Sequence, residues 1–349
     1  MTENKTKTLS DLGEFGLIRK LTGDIILRHP ASRKGIGDDA AVIDHKGFLT
    51  LVTTDLLLEG IHFDLSYVPL KHLGYKSLVV NLSDIFAMNG TPLQVTVSIG
   101  VSSKFSLNAI EELYKGIKLA CNQYEIDLIG GDTSASINGL TISVTALGTA
   151  QAKQIVYRSG AVKGDLICVT GDLGGAYMGL LLLEQENKKF RDDPTHKPQF
   201  GGYQYILERQ LKPEACKNLG RMLLAGKVKP TSMIDVSDGL SSDLLHLCEE
   251  SGTGSRIYAD RIPIHPETRN FAGQLRISPV VAALSGGEDY ELLFTISPKD
   301  FPTIQTLEGI TVIGIMTGSE EGHLLELEDK STIVMESQGW NAGKSRKGL

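Results

Sequence analysis

A break in periodicity limits how this chain can fold more than any other feature. Over residues 150–164 the regular apolar spacing gives way to polar residues and glycine, which marks a crossing between two halves near residue 155. The length of 349 residues agrees, because single cores stop growing at roughly 250–300 residues. The expected domains are residues 1–155 and 156–349.

In the first half, Phe15, Ile18, Leu21, Ile25 and Ile26 recur at helical spacing and predict an amphipathic helix over residues 14–29, ending near Pro30. Residues 41–43 and 48–53 read as strands joined by His45-Lys46-Gly47, a hairpin. A helix over 71–88 stops at Asn89-Gly90, where glycine takes the left-handed C-terminal conformation. Strands at 95–101, 127–129 and 140–147 and a helix over 108–123 complete this half. The second half opens with a strand at 165–170, the turn Gly171-Asp172-Leu173-Gly174-Gly175, a helix through Leu183 and a polar surface loop over 186–200. Further strands are predicted at 232–236, 256–258, 291–296 and 311–315, and helices at 240–250 and 279–284. Strands and helices mix in both halves, so the fold class is α/β or α+β.

A hydrophobic fraction of 41% and a charged fraction of 22% are those of a soluble globular protein. The formal net charge is -7, and no block of Lys or Arg is long enough to track a phosphate backbone, so no nucleic-acid partner is expected. Cys121, Cys168, Cys216 and Cys248 include no C-x-x-C pair, which argues against zinc and disulfides and for reduced thiols. The N-terminal residues carry no apolar targeting core, and the longest apolar stretch, near residues 177–183, is too short for a bilayer. No membrane partner and a cytoplasmic location are therefore expected.

The acidic residues are informative because many lie among Gly, Ser and Thr. Six clusters stand out: Gly37-Asp38-Asp39, Thr53-Thr54-Asp55, Asn81-Leu82-Ser83-Asp84, Gly130-Gly131-Asp132-Thr133, Asp235-Val236-Ser237-Asp238-Gly239 and Gly287-Glu288-Asp289-Tyr290. Magnesium takes hard oxygen ligands and shares its shell among one or two carboxylates, waters and substrate phosphates, so such clusters suit it. Any one of them alone is better explained as a helix cap or an Asx turn. Asp84 differs, since it falls inside a predicted helix, on the face of Asn81 and in apolar surroundings where a carboxylate needs a partner. The turns at Gly130-Gly131-Asp132 and Gly171–Gly175 could offer backbone N–H groups to a phosphate, although glycine at such places more often serves the turn itself.

Two familiar nucleotide signatures do not apply. Gly339-Trp340-Asn341-Ala342-Gly343-Lys344-Ser345 imitates a P-loop but is one residue short and leaves no room for the following helix. The protein-kinase set is absent. His62 and Arg158 are by default a packed histidine and a surface arginine, and become phosphate partners only if the halves meet over a phosphate-rich ligand.

Together, Gly35-Ile36-Gly37-Asp38-Asp39-Ala40-Ala41, Thr53-Thr54-Asp55, Asn81-Leu82-Ser83-Asp84-Ile85, Ile129-Gly130-Gly131-Asp132-Thr133, Ile234-Asp235-Val236-Ser237-Asp238-Gly239-Leu240 and Ser285-Gly286-Gly287-Glu288-Asp289-Tyr290-Glu291-Leu292 resemble the thiamine-monophosphate kinase family in content, order and spacing, over nearly the whole chain. That family shares a superfamily with aminoimidazole ribonucleotide synthetase, selenophosphate synthetase and a hydrogenase-maturation dehydratase. The resemblance implies a two-domain α/β fold whose N-terminal domains pair into a dimeric β-barrel, hence a homodimer, with ATP as co-substrate and thiamine monophosphate as acceptor. It further implies that Asp39, Thr53, Thr54, Asp55, Asp84, Asp132, Asp235 and Asp238 hold magnesium, with Asp84, Asp132 and Asp238 central to catalysis. Tyr124, Gly131, Asp132, Arg158 and Ser237 would contact ATP, and His62, Glu288 and Trp340 the thiamine phosphate. The family commonly ends in Gly-aromatic-x-His-Phe, whereas Trp340 is followed by Asn341-Ala342-Gly343. The rival readings are another ATP-using member of the superfamily and a non-catalytic nucleotide-binding protein.

Overall fold

The computed structural model describes residues 13–336, with side-chain surroundings from residue 16 onward. Helix α1 (Gly13–Thr22) leads to β1 (Ser32–Lys34), β2 (Ala41–His45) and β3 (Phe48–Leu58). The expected hairpin joins β2 to β3 through Lys46 and Gly47, both left-handed at φ 59° and 100°, the geometry that matches strand twist. There follow α2 (Leu70–Ala87), β4 (Thr91–Val101), α3 (Leu107–Tyr124), β5 (Asp127–Ala135) and β6 (Leu140–Gln151). Among the described residues these strands form a six-stranded sheet in the order β1-β2-β3-β6-β4-β5, with β4 and β5 parallel and the other neighbours antiparallel.

Alternation along the strands decides which face is covered. Leu49, Leu51 and Leu57 on β3, Val95, Val97 and Ile99 on β4 and Ile142, Val144 and Ala146 on β6 are buried in one cluster with α2 and α3. The residues between them, such as Thr54 and Leu56, point to the other face, where Leu56 is exposed. Helix α2 is buried nearly all round, because the first sheet lies on one side and the second half of the chain on another.

The second half comprises β7 (Leu166–Thr170), α4 (Gly175–Asp192), α5 (Gln204–Leu211), α6 (Leu219–Ala225), β8 (Ser232–Asp235), α7 (Leu240–Ser251), β9 (Gly254–Tyr258), α8 (Pro266–Gln274), α9 (Pro279–Ser285), β10 (Leu292–Ile296), α10 (Phe301–Ile304), β11 (Ile310–Thr317), β12 (His323–Glu326) and β13 (Thr332–Val334). Its seven-stranded sheet runs β13-β12-β9-β11-β7-β10-β8 among the described residues, with β9 and β12 the parallel pair. The mixed α/β class expected from the sequence is what the chain adopts. No helix among the described residues is long and apolar enough to cross a membrane.

Three local expectations differ. Helix α1 stops at Thr22, where Gly23 N closes the last turn on Arg19 O at 3.0 Å, and Ile25 and Ile26 are left exposed; glycine is a poor helix residue and ends the run that apolar spacing extended. Helix α4 continues to Asp192 through the stretch expected to be a loop, because buried Glu186 pairs with Lys189 one turn on at 2.6 Å and also takes His196 at 2.8 Å. Residues 130–135, expected to begin as a glycine turn, instead continue β5 beside β4. Gly131 is required there, since a Cβ on it would lie 1.8 Å from Val97 O.

Candidate active site

Where α2 meets the second half, three carboxylates converge. Asp39 precedes β2, Asp84 lies in the last turn of α2 and Asp235 ends β8; an oxygen from each lies within 4.8 Å of the others. Each is fixed by a neighbour. Thr53 Oγ1 donates to Asp84 Oδ2 at 2.6 Å, Ser83 Oγ donates to Asp235 Oδ2 at 2.7 Å, and Arg158 Nη2 donates to Asp39 Oδ1 at 2.8 Å. Asp55 joins the same face of β3 as Thr53 by the two-residue alternation, and its backbone N–H donates to Asn81 Oδ1 at 3.1 Å. Asp38 accepts from Arg158 N at 3.2 Å and lies 3.5 Å from Lys34 Nζ. Asp39 Oδ2 is buried with no hydrogen-bond partner among the described residues, and Asp38 Oδ2 meets only the Lys34 ammonium.

Crowding buried carboxylates raises the cost of ionising them. Burial, and after it the charges of Asp55, Asp235 and Asp39, hold Asp84 well above the usual carboxylate range. Burial and then Asp39 push Asp235 to about 7, and burial and then Asp39 push Asp38 to about 6. Burial works against the Arg158 guanidinium, but Asp39 more than offsets it and keeps the group charged. A concentration of negative charge with unpartnered lone pairs is the donor set that a hard divalent cation satisfies.

Two expected ligands stand elsewhere. Thr54 follows Thr53 in sequence and so points to the opposite face of β3, where its hydroxyl donates to Val144 O at 3.0 Å and accepts from Thr145 Oγ1 at 3.1 Å. Asp132 lies on exposed edge strand β5, in register with Ser98 of β4, which pairs with Ser143 of β6, which pairs with Leu56 of β3. That register puts Asp132 on the face of Thr54 and Leu56, three strand spacings of about 4.8 Å, or about 14 Å, from β3. The groove along β5, about 530 Å³, is lined by Tyr114, Leu128, Ile129 and residues 130–133.

The remaining expected residues fall around the junction. Ser237 and Asp238 follow β8, with Asp238 N donating to the buried carboxylate of Asp243 at 3.1 Å. Glu288 N donates to Ser237 O at 2.7 Å, and Glu288 and Tyr290 both take left-handed backbone, φ 58° and 52°. Gly287, at φ 68°, packs so closely that a Cβ would lie 2.5 Å from Ser237 O. His62 Nδ1 accepts from Leu58 N at 3.0 Å, which places a ring hydrogen on Nε2 in the neutral form. Tyr124 is tied down: its hydroxyl donates to Glu214 Oε2 at 2.9 Å and accepts from Ala215 N at 2.8 Å. Trp340 lies outside the described residues.

Several neighbours of the Glu288–Glu291 segment were not singled out from the sequence. Lys76 Nζ lies 3.1 Å from Glu288 Oε1, Gln210 Nε2 donates to Glu288 Oε2 at 3.0 Å, and Arg209 Nη1 donates to Glu291 Oε1 at 2.9 Å. One signal was available for Lys76: it stands seven residues before Ser83 on one helix, two turns along the same face.

Residues 37–150, which hold β2 to β5 and most of β6, match the family described as AIR synthase related protein, N-terminal domain. Over 337 residues the chain is 34% identical to thiamine-monophosphate kinase of Bacillus subtilis, covering 95% of this chain and 99% of that one. With the enzyme of the same name from Aquifex aeolicus it shares 33% identity over 332 residues, 95% and 98% of the two chains. A solved structure described as AaThiL complexed with AMPPCP and TMP superposes with a TM-score of 0.82 at 31% identity, covering 97% of this chain and all of the other. The chain belongs to the thiamine-monophosphate kinase family.

Proposed function

We infer that this protein transfers the γ-phosphoryl group of ATP to the phosphate of thiamine monophosphate, giving ADP and thiamine diphosphate. The observation that carries the reading is the convergence of Asp39, Asp84 and Asp235 at the junction of the halves, in a chain of this family. The likeness to a relative complexed with AMPPCP and TMP supports the pair of substrates.

The donor set fits magnesium, since all three groups are carboxylates and Asp39 Oδ2 has no hydrogen-bond partner among the described residues. Asp39, Asp84 and Asp235 would hold it, with Asp55 and Asp238 at the margin. Bound there, magnesium neutralises the triphosphate and the charge that spreads over the transferred group. The protein's own part is positioning: Thr53, Ser83 and Asn81 fix the carboxylates and the β3 backbone, so little reorganisation accompanies transfer. Arg158, beside Asp39, offers planar donors to a phosphate oxygen. The acceptor is a phosphate oxygen already ionised near neutral pH, so transfer is direct and needs neither a strong base nor a phosphoenzyme. Ser237 and Gly131 are assigned to ATP, and His62, Glu288 and Trp340 to the acceptor, as the family resemblance implies.

The same reading makes the protein a cytoplasmic homodimer, with residues 1–155 binding ATP and magnesium and forming the dimer, and residues 156–349 completing the acceptor site. Leu56 and Ile129 are exposed on and beside the uncovered face of the first sheet, and β5 is an open edge, so a second copy laid there closes both into a barrel. Tyr124, whose hydroxyl is tied to Glu214, would contact ATP, as the family resemblance implies. Asp132 and Thr54, which lie away from the buried cluster, then complete a site across the dimer interface.

The experiment is incubation with ATP, magnesium and thiamine monophosphate. One ADP for each thiamine diphosphate supports the reading; folded protein that forms neither favours the non-catalytic rival, and ADP without thiamine diphosphate favours another acceptor.

A further inference from the structure

Lys76 is 6% exposed and Gln210 5% exposed, yet neither belongs to the carboxylate cluster or its supports. A buried ammonium and a buried amide are costly unless bonded, and both are bonded to one group. Lys76 Nζ contacts Glu288 Oε1 at 3.1 Å and donates to Gln210 O at 3.1 Å, while Gln210 Nε2 donates to Glu288 Oε2 at 3.0 Å. The Glu288 side chain is 29% exposed against 8% for Lys76, so the carboxylate faces outward from a buried support. Gln210 Oε1 is buried and has no hydrogen-bond partner among the described residues. The Glu288 carboxylate is therefore the acceptor presented outward, held from behind by Lys76 and Gln210.

The backbone holds this arrangement in place. Residues 287–290 turn through three left-handed conformations, and Glu288 N is bonded to Ser237 O beside Asp238. On α2, Lys76 precedes Ser83 by seven residues, about 10 Å along the axis. Ser83 bonds Asp235 of the carboxylate cluster and Lys76 bonds Glu288, so one rigid helix sets the spacing between the phosphate end of the site and Glu288.

We propose that Lys76, with Gln210, is a positioning residue for acceptor recognition: the two hold the Glu288 carboxylate as the acceptor for the amino group of the neutral aminopyrimidine ring, the end of thiamine monophosphate away from its phosphate. The proposal rests on the function inferred above. Lys76 also explains how a carboxylate can stand near an acidic metal site without joining it, because its ammonium already balances the charge of Glu288.

The test compares wild-type protein with Lys76→Met, Lys76→Arg and Gln210→Leu by steady-state kinetics, with circular dichroism to verify folding. Loss of one partner of a partly buried charged pair is expected to raise KM for thiamine monophosphate about tenfold to a hundredfold in Lys76→Met, with KM for ATP within about threefold and kcat falling less than KM rises. Lys76→Arg recovers most of the loss, and Gln210→Leu raises the same KM by about threefold to tenfold. An unchanged KM for thiamine monophosphate in folded Lys76→Met overturns the proposal, as does a fall in kcat alone, which is what a merely structural role would give. If Lys76→Met does not fold, Gln210→Leu decides by the same criterion. Absence of thiamine diphosphate from the wild-type protein overturns the functional reading and this proposal together, whereas product from wild type with an unaltered Lys76→Met overturns the proposal alone.

Discussion

Replacing Asp235 by Asn gives a result opposite to the usual effect of a core substitution. Asp235 is buried beside Asp39 and Asp84, and its carboxyl is pushed from the ordinary 3.8 to about 7. The native state then holds its proton more tightly than the unfolded chain does. Between pH 3.8 and about 7 the native state carries more protons, so stability is full at low pH and is lost as pH rises. At about 1.4 kcal/mol for each tenfold change in proton affinity, the rise amounts to about 4 kcal/mol of destabilisation above pH 7. An amide has no such penalty, although imperfect replacement of the Ser83 hydrogen bond costs about 1 kcal/mol. The metal-free Asp235→Asn protein is therefore expected to be more stable than wild type by about 2–3 kcal/mol at pH 8, and by much less at pH 5. Urea denaturation in EDTA at both pH values measures this. Magnesium should stabilise wild type at pH 8 and have little effect on the variant. A variant less stable than wild type at pH 8 without metal would refute the account of the cluster as strained by its own charge.

Other expectations follow from the same structure. Gly131→Ala should separate β4 from β5, because its Cβ would lie 1.8 Å from Val97 O, and lower stability by about 2 kcal/mol or more in a thermal melt. Arg209→Met should cost about 3–5 kcal/mol in urea, since it leaves Glu291 and the fully buried Asp289 without their cation. If Asp132 completes a site across the dimer interface, Asp84→Asn and Asp132→Asn homodimers should both be inactive. Mixed dimers of the two should regain turnover, because one of their sites is then intact, and no recovery on mixing would place Asp132 outside the partner's site.

Much of the site was legible because its chemistry is written in short local patterns. Asp39, Asp84 and Asp235 sit at a loop, a helix end and a strand end that the sequence marks with Gly, Ser and Asn, and the structure brings them together. Where reading was local but three-dimensional partners decide, it was incomplete. Thr53 and Thr54 look equivalent as neighbours, yet strand alternation sends them to opposite faces, which the sequence could have shown. Gly130-Gly131 reads as a turn, but it continues an edge strand because β4 lies close alongside. Helix α1 was drawn too long because apolar spacing persisted beyond Gly23, and α4 too short because its polar residues are satisfied by Glu186 and its partners. Lys76 carried no motif of its own; its meaning lies in Glu288, 212 positions away by their numbers, 288 − 76.

The most direct measurement of the central claim follows γ-labelled ATP with thiamine monophosphate and magnesium, for wild type and Asp84→Asn side by side. Wild type should move the label into thiamine diphosphate, and the variant should remain folded while kcat falls by about 10²–10³-fold or more, as loss of a central electrostatic group requires. Transfer by Asp84→Asn at the wild-type rate would contradict the account.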